Sequence, residues 1–147
     1  MRENLFKAKR IDNGEWVEGC YAECNGKTFI GIDISIGIDD IFEVFCAPVI
    51  RWLEVDPETL CRFAGLCDKY GNKIWDNDIV KTVSDIYAPV KFGLYTTGFA
   101  IEECNQGFYV DFPYETCLRH ELGYWHNKVE VRGNIFDNPE LLQGSVK

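Results

Sequence analysis

The fold is decided by the stretch at residues 59–82, TLCRFAGLCDKYGNKIWDNDIVKT. It contains two turn-forming runs, DKYGN at residues 68–72 and DND at residues 76–78, and each run is followed by apolar residues. Asp and Asn side chains bond the local backbone of turns, and Gly accepts positive φ angles without steric cost. The stretch therefore predicts an antiparallel hairpin that leads into a strand beginning at Ile79.

The residues before this stretch predict a meander of short strands. Turn signals stand at residues 12–14, Asp-Asn-Gly, and at residues 25–26, Asn-Gly, each between runs containing apolar residues. Asn-Gly pairs favour the tight turns of β-hairpins because both residues accept positive φ angles. Residues 31–38 alternate Ile with small or acidic residues, which is typical of a strand, and residues 49–55 predict another. Residues 56–58, Asp-Pro-Glu, predict one short helical turn.

The residues after this stretch predict further strands and a terminal helix. We expect a loop at residues 84–89, strands at residues 90–95, 99–102 and 108–112, and a turn at Asn105-Gln106-Gly107. Residues 116–124 fit either a short helix or an irregular segment. Residues 129–135 are expected to close the sheet, and residues 138–140, Asn-Pro-Glu, to cap a brief helix.

The predicted fold class is mainly β, with antiparallel strands and short helices. We expect an N-terminal β-meander subdomain at residues 1–56 and a C-terminal β-barrel subdomain at residues 57–147. The second half combines an acid-rich turn with VKFG and VRGN segments, and in this it looks like an SH3-type small barrel. That likeness is an analogy of fold and by itself licenses no function.

Three blocks of the sequence carry a family resemblance. They read LEVDPETLCRFAGLCDKYGNKIWDNDIVKT at residues 53–82, VKFGLY at residues 90–95 and VEVRGNIFDNPELL at residues 129–142. In their order and spacing they resemble the YopX family of phage and prophage proteins. The resemblance implies a small, mainly β protein encoded in a temperate phage genome, and it implies no catalytic, metal-binding or cofactor-binding residue. One departure is Asn77, where the family usually has glycine; Asn also accepts positive φ, so we expect the turn to persist.

Composition and charge narrow the classes of function. The 147 residues fit one domain or two small subdomains, and the formal net charge of -9 disfavours binding to nucleic acid phosphates. A basic cluster at the N-terminus departs from this acidic balance, and a solvated face explains it more simply than a binding patch; it comprises Arg2, Lys7, Lys9 and Arg10. No apolar run approaches the roughly 20 residues of a membrane helix.

The cysteines indicate the compartment. The chain has seven, an odd number, and begins without an apolar signal sequence. Unpaired cysteines persist in reducing compartments, so we expect the protein in the cytoplasm, and in that of the host cell if the gene belongs to a phage.

A zinc site is one chemical candidate. Structural zinc usually takes two close pairs of ligands, and the chain offers Cys20 with Cys24 and His120 with His126. Residues four apart on a strand lie about 13 Å apart, so Cys20 and Cys24 need an intervening turn to share one ion. The alternative of free cysteines is favoured here, and equally for Cys61 with Cys67. We therefore assign no metal.

Catalysis is a second candidate. Cys117, His120 and Glu121 have the spacing to share a helix face as nucleophile, base and orienting group, but no surrounding motif supports that reading. Two carboxylate pairs, Asp76 with Asp78 and Glu102 with Glu103, suit general acid-base chemistry or a divalent cation, yet they suit turns equally well. We assign no catalytic residue and no cofactor, and expect a protein that is not an enzyme.

The leading functional hypothesis is a phage or prophage accessory protein that binds protein partners, including copies of itself, through strand edges and aromatic patches. The alternatives are a nucleic-acid-associated small barrel, which uses the basic cluster and aromatic residues near 87–95, and an acidic DNA mimic. The aromatic residues available for such a surface are Trp75, Tyr87, Phe92, Tyr95, Tyr109, Tyr114, Tyr124 and Trp125.

Overall fold

A computed structural model describes residues 5–33, 50–95, 105–112 and 120–144. The chain forms two compact units, Met1–Arg62 and Phe63–Lys147. The division predicted at residues 56/57 lies slightly before this boundary. All strand pairs in the described residues are antiparallel, which confirms the mainly β fold class.

The first unit contains the predicted meander. Its strands are β1 (Phe6–Lys9), β2 (Trp16–Cys24), β3 (Lys27–Asp33) and β4 (Ile50–Val55), each paired with the next. Gly14 has a φ of 73° in the first turn, and Asn25 and Gly26 have φ angles of 53° and 76° in the second. Both turn predictions are therefore confirmed. Residues 34–49, which include part of the predicted strand at 31–38, lie outside the described residues.

The first and fourth strands of this unit meet each other. Arg10 pairs with Val55, and the N–H of Ile11 donates to the carbonyl of Glu54 at 3.2 Å. A 3-10 turn at Pro57–Thr59 follows β4, with the Asp56 carboxylate accepting from the N–H of Glu58, as the sequence predicts. The chain then enters β5 (Cys61–Cys67), whose first residues pair with Phe6 and Lys7 of β1.

β2 pairs with two different strands along its length. Residues 16–19 pair with β1 and residues 20–24 pair with β3. A Cβ on Gly19 would collide with the backbone carbonyl of Gly31, so only glycine permits this approach. The strands enclose the fully buried Ala8, Ile30 and Val55, against which half-buried apolar side chains pack; these are Phe6, Val17, Ile32 and Leu60.

The second unit holds the remaining strands and two short helices. They are the end of β5, β6 (Lys73–Trp75), β7 (Asp78–Lys81), β8 (Tyr87–Tyr95), β9 (Asn105–Val110), α1 (Leu122–Trp125), β10 (Glu130–Asn134) and α2 (Glu140–Gly144). β5 pairs with β6, and a four-stranded sheet has the order β10-β7-β8-β9. Among the described residues no pairing joins β9 to β10, so the SH3-type barrel expected for this half stays a prediction.

Two predictions in this unit are wrong. The expected turn at Asn105-Gln106-Gly107 is the beginning of β9, where Gly107 pairs with Gly93 and neighbouring tyrosine rings lie over both glycines. The expected loop at residues 84–89 ends early, because β8 begins at Tyr87 and includes Pro89. Pro89 stands opposite Asp111, beyond the end of β9, and its carbonyl accepts from the N–H of Asp111 at 2.9 Å. Its missing N–H therefore costs no bond to β7.

The core of the second unit lies on one face of the four-stranded sheet. It comprises Ala64, Ile74, Val80, Ala88, Val90, Val110, Phe112, Leu122 and Val129. The ambiguous segment at 116–124 ends in α1, while residues 113–119 lie outside the described residues. The predicted closing strand and terminal helix correspond to β10, paired with β7, and to α2.

Candidate interaction surface

The hairpin strands β8 and β9 extend beyond the buried core and expose apolar side chains. Val90 and Val110, which face each other across the ribbon, are fully buried. Two residues further along the same face, Phe92 is 40% exposed, and Leu94, two residues further again, is 69% exposed. Along β8 this face thus passes from core to surface without changing to polar side chains.

Phe108 and Gln106 complete this face on β9. Phe108 stands opposite Phe92, with ring centroids 4.9 Å apart in an edge-to-face arrangement, and Gln106 stands opposite Leu94. Edge-to-face aromatic pairs contribute about 0.5–1.5 kcal/mol beyond area burial, so the two rings stabilise the pairing of β8 with β9. We call Phe92, Leu94, Gln106 and Phe108 the ribbon patch.

The opposite face of the ribbon carries two tyrosines above two glycines. A Cβ on Gly107 would lie 3.7 Å from the Tyr95 ring, and a Cβ on Gly93 would lie 3.8 Å from the Tyr109 ring. The two ring centroids are 5.8 Å apart. Burial and the negative charges of Asp111 and Asp76 raise the pKa of Tyr109. The rings cover the backbone of the glycine pair, which is the packing that keeps this part of the ribbon in a strand.

The ribbon carries little charge in a chain with a formal net charge of -9. Lys91 is the charged residue within β8, and β9 contains none. The Lys91 ammonium donates to the Oδ1 of Asn77 at 3.1 Å, on the face opposite the ribbon patch. The patch itself therefore consists of three apolar side chains and one neutral amide.

The outer edge of β9 is partly covered. Tyr109 pairs with Glu121, and the N–H of Val110 donates to the carbonyl of His120 at 2.8 Å. Because these contacts use part of the β9 edge, a strand from a partner protein has fewer free backbone groups to pair with there. The exposed face, with Phe92 and Leu94, is the better-formed surface.

Comparison with family models identifies the family of this chain. The family model described as YopX protein matches residues 5–143. The chain belongs to the YopX family. No curated protein matches it.

Asp68 shows how this YopX-family chain uses the acids of its most distinctive block. The buried carboxylate accepts from the N–H groups of Tyr70 and Asn72 and from the N–H of Val131, each at 2.9 Å. Burial alone would raise its pKa, but these hydrogen bonds from Val131, Asn72 and Tyr70 outweigh burial and lower the pKa. The side chain closes the β5–β6 turn and ties it to β10.

The second acidic run is used in the same way. Asp78 is buried and accepts from the N–H of Trp75 at 2.8 Å. Asn77 has a φ of 72°, which confirms that the turn persists where the family usually has glycine. The N–H of Asn77 donates to Val90, and its carbonyl accepts from Ile135. Asp76 and Asp78 are thus parts of a turn, and the pair Glu102 and Glu103 lies outside the described residues.

The cysteines and histidines considered for zinc are spread over different elements. Cys20 and Cys24 are exposed on β2, Cys67 is exposed, and buried Cys61 donates to the carbonyl of Thr59 at 3.2 Å. The Nδ1 of His126 lies 2.9 Å from the carbonyl of Cys67. Over the described ranges, no group of three or more His, Cys, Asp or Glu is placed to hold a metal ion.

The described residues do not test the Cys117, His120 and Glu121 arrangement, to which we assign no catalytic role. Cys117 lies outside the described ranges. The Nδ1 of His120 lies 3.1 Å from the carbonyl of Val110, so this ring nitrogen is used to fix the segment before α1 against β9. Glu121 pairs with Tyr109 through the backbone. The His120 ring and the Glu121 backbone therefore both have structural contacts with β9.

The basic cluster surrounds an aromatic ring in the first unit. The ammonium groups of Lys7 and Lys9 lie 4.9 and 5.5 Å from the centroid of Trp16. Arg10 forms a 2.6 Å ion pair with Asp12, and Arg2 lies outside the described residues. The aromatic residues near 87–95 belong to the second unit, so the two parts of the predicted nucleic-acid surface are on different units.

The predicted aromatic surface divides into buried and exposed members. Trp75 is buried beside Phe63, and Trp125 packs edge-on against Phe112. Tyr114 lies outside the described residues, while Phe92, Tyr95 and Tyr109 lie on the ribbon. Sequence reasoning missed the exposure of Leu94 and the half-buried place of Phe108 beside it. The continued alternation in YAPVKFGLY was the available signal, but the turn assigned to 105–107 removed its partner strand.

No helix in the described residues is long and apolar enough to span a membrane.

Proposed function

We propose that this YopX-family protein is a phage or prophage accessory protein that acts by binding proteins, without catalysis, in the host cytoplasm. The observation that carries this proposal is the ribbon patch. Large apolar side chains exposed singly on turns need no explanation, as with Ile11, Tyr70 and Val83, but Phe92 and Leu94 lie side by side on a regular strand. Contiguous apolar surface of this kind is typical of protein interfaces.

The use of the acids supports a role without catalysis. Asp68 and Asp78 accept hydrogen bonds from backbone N–H groups of their own turns, and His120 contacts a backbone carbonyl. These contacts give each of the residues a structural purpose. The seven cysteines support a reducing compartment, and the phage origin rests on the family resemblance.

The experiment is an affinity capture from host lysate that also contains an untagged copy of the chain. Tagged wild type is compared with Leu94→Lys, and Val83→Lys is the matched control because Val83 is 82% exposed in a turn of the same unit. We expect the captured proteins to be lost with Leu94→Lys and retained with Val83→Lys. Identical capture by wild type and Leu94→Lys contradicts the proposal.

The SH3-type organisation is better supported in the first unit than in the second. There, four meandering strands are followed by a 3-10 turn and a fifth strand that returns to the first. We propose an SH3-like arrangement for the described part of this unit, residues 5–33 and 50–62. An experimental structure of the full chain tests it.

A second candidate function is binding of nucleic acid by the first unit. Two lysine ammonium groups beside one indole, at Lys7, Lys9 and Trp16, combine positive charge with a stacking surface. Salt-sensitive binding to a labelled oligonucleotide, abolished by Lys7→Glu with Lys9→Glu and kept by Lys27→Glu, supports this function. Absence of binding at low salt excludes it and leaves the acidic surface as a DNA mimic, tested by competition with DNA for host DNA-binding proteins.

A further inference from the structure

Two Asn-Gly pairs stand in the turns of the first unit, at Asn13-Gly14 and Asn25-Gly26. An asparagine followed by glycine is prone to deamidation, because glycine has no Cβ to keep its backbone nitrogen away from the side-chain carbonyl of the asparagine. The two pairs share this chemistry and differ in their surroundings. The structure therefore distinguishes two sites that the sequence leaves equivalent.

The Asn13-Gly14 pair is held by hydrogen bonds at both of the groups that would react. The N–H of Gly14, whose nitrogen would attack the side chain, donates to the carbonyl of Arg10 at 2.9 Å. The Oδ1 of Asn13 accepts from the N–H of Glu15, also at 2.9 Å. The attack requires the Gly14 N–H to give up its acceptor, and rotation of the Asn13 side chain breaks the other bond. Both bonds therefore raise the activation free energy at this pair.

The Asn25-Gly26 pair forms the two-residue turn between β2 and β3, next to the pairing of Cys24 with Lys27. Its φ angles of 53° and 76° are both positive, as in the tight turns of hairpins. Both residues are exposed, and a Cβ on Gly26 would meet nothing within 4 Å. In the described part of the chain, no hydrogen bond holds the Asn25 side chain or the Gly26 N–H. The two reacting groups can therefore approach each other without giving up a protein partner.

We propose that Asn25 is a site of spontaneous deamidation in the folded protein and that Asn13 is protected. The Gly26 nitrogen attacks the Cγ of Asn25: an N–Cγ bond forms, the Cγ–Nδ2 bond breaks, and ammonia leaves with the proton of the Gly26 N–H. Water then opens the resulting cyclic imide at either of its carbonyls. Opening at Cγ gives aspartate. Opening at the backbone carbonyl gives isoaspartate, in which the main chain runs through Cβ and Cγ.

The two products change the β2–β3 hairpin in different ways. Each replaces a neutral amide by a carboxylate, so the net charge becomes one unit more negative than -9. Isoaspartate also adds one carbon to the main chain of a turn whose length sets the register of the strands. The modified chains therefore separate from the original by anion exchange, and Asn25→Asp supplies the standard for the aspartate product.

The test follows the purified full chain during incubation in mildly alkaline buffer. The buffer is made with water enriched in heavy oxygen, which marks every product formed during the incubation. An endoprotease that cleaves after glutamate separates the two sites, because Glu15, Glu18 and Glu23 lie between them. Mass spectrometry of the resulting peptides then gives one rate of deamidation for Asn13 and one for Asn25.

The same measurement in concentrated urea is the control. There neither turn exists, and the two asparagines should react at similar rates because each is followed by glycine. In the folded chain we expect Asn25 to react about tenfold faster than Asn13 or more, which is the effect of two ordinary hydrogen bonds at the protected pair. Three results overturn the inference: equal rates in the folded chain, a faster reaction at Asn13, or a folded chain in which Asn25 stays intact while the urea sample reacts.

Discussion

Replacing Asp68 by Asn converts the carboxylate that joins the β5–β6 turn to β10 into an amide. In the wild type, Oδ1 accepts from the N–H groups of Tyr70 and Asn72, while Oδ2 accepts from the N–H of Val131 and from the Asn72 side chain. In Asp68→Asn, one oxygen becomes an amide NH₂. If the remaining oxygen keeps the turn bonds, the new donor faces the donors of Val131 and Asn72.

The magnitude follows from these contacts. Hydrogen bonds to a charged group contribute about 1.5–3 kcal/mol each, and a buried donor left without its acceptor costs about 1–3 kcal/mol. The variant loses the bond to Val131 and weakens the two turn bonds by removing the charge. We expect the free energy of unfolding to fall by about 3 kcal/mol at pH 7.

The effect depends on pH in a defined direction. Because the pKa of Asp68 is lowered in the folded chain, its carboxylate stabilises the fold above the unfolded-chain pKa, near 4. That contribution is lost as pH falls through the lowered folded-state pKa. The stability difference between wild type and Asp68→Asn therefore narrows below about pH 4.

Urea denaturation followed by tryptophan fluorescence and circular dichroism measures this difference at several pH values. Asp85→Asn is the matched control: Asp85 is 77% exposed, pairs with Lys81 at 3.1 Å and has a φ of 61°, which Asn accepts. Its expected cost is below about 0.5 kcal/mol. A cost below about 0.5 kcal/mol for Asp68→Asn at pH 7, or a difference that widens on acidification, refutes the reasoning.

Three further substitutions test the second unit. Gly133→Ala is expected to destabilise by about 1–3 kcal/mol, because its Cβ would lie 2.7 and 2.9 Å from the Cγ and Cβ of Asn138, which hydrogen-bonds to Asn134. Thermal melting should contrast it with Gly123→Ala, which meets nothing within 4 Å in α1 and should stabilise by about 0.5–1 kcal/mol. Asn77→Ala is expected to cost about 1–2 kcal/mol in urea denaturation, since alanine is strained at a φ of 72°; an unchanged midpoint contradicts that account.

The parts of the fold that sequence predicts are those settled by local chemistry. The turns at Gly14, Asn25-Gly26 and residues 68–72 follow from side chains that bond their own backbone or accept positive φ. The turn assigned to residues 105–107 fails because its outcome depends on Tyr95 and Tyr109, which cover the glycine pair from neighbouring strand positions. Local composition cannot show such a cross-strand contact.

The ribbon patch could not be predicted from the sequence, because its exposure also depends on contacts between residues that are distant in the chain. Leu94 in an alternating run is expected to face a core, and its exposure depends on where the core ends. That end is set by β7, which begins at Asp78, and by the distance that β8 continues past it. Sequence therefore places Leu94 on the correct face and leaves its burial undetermined.

The three blocks that carry the YopX resemblance differ in how far folding explains them. The first and last contact each other: Asp68 binds the N–H of Val131, the N–H of Lys69 donates to Val129, and β7 pairs with β10. Asp68 and the strands on either side of it are accounted for by these contacts.

The middle block, VKFGLY, is explained only in part. Val90 is buried and Gly93 lies beneath the Tyr109 ring, but Phe92 and Leu94 expose apolar surface to solvent on a strand that continues beyond the core. Exposing large apolar groups side by side gains nothing for folding, because hydrophobic stabilisation requires burial. The ribbon patch is therefore the surface on which the proposed protein-binding function rests.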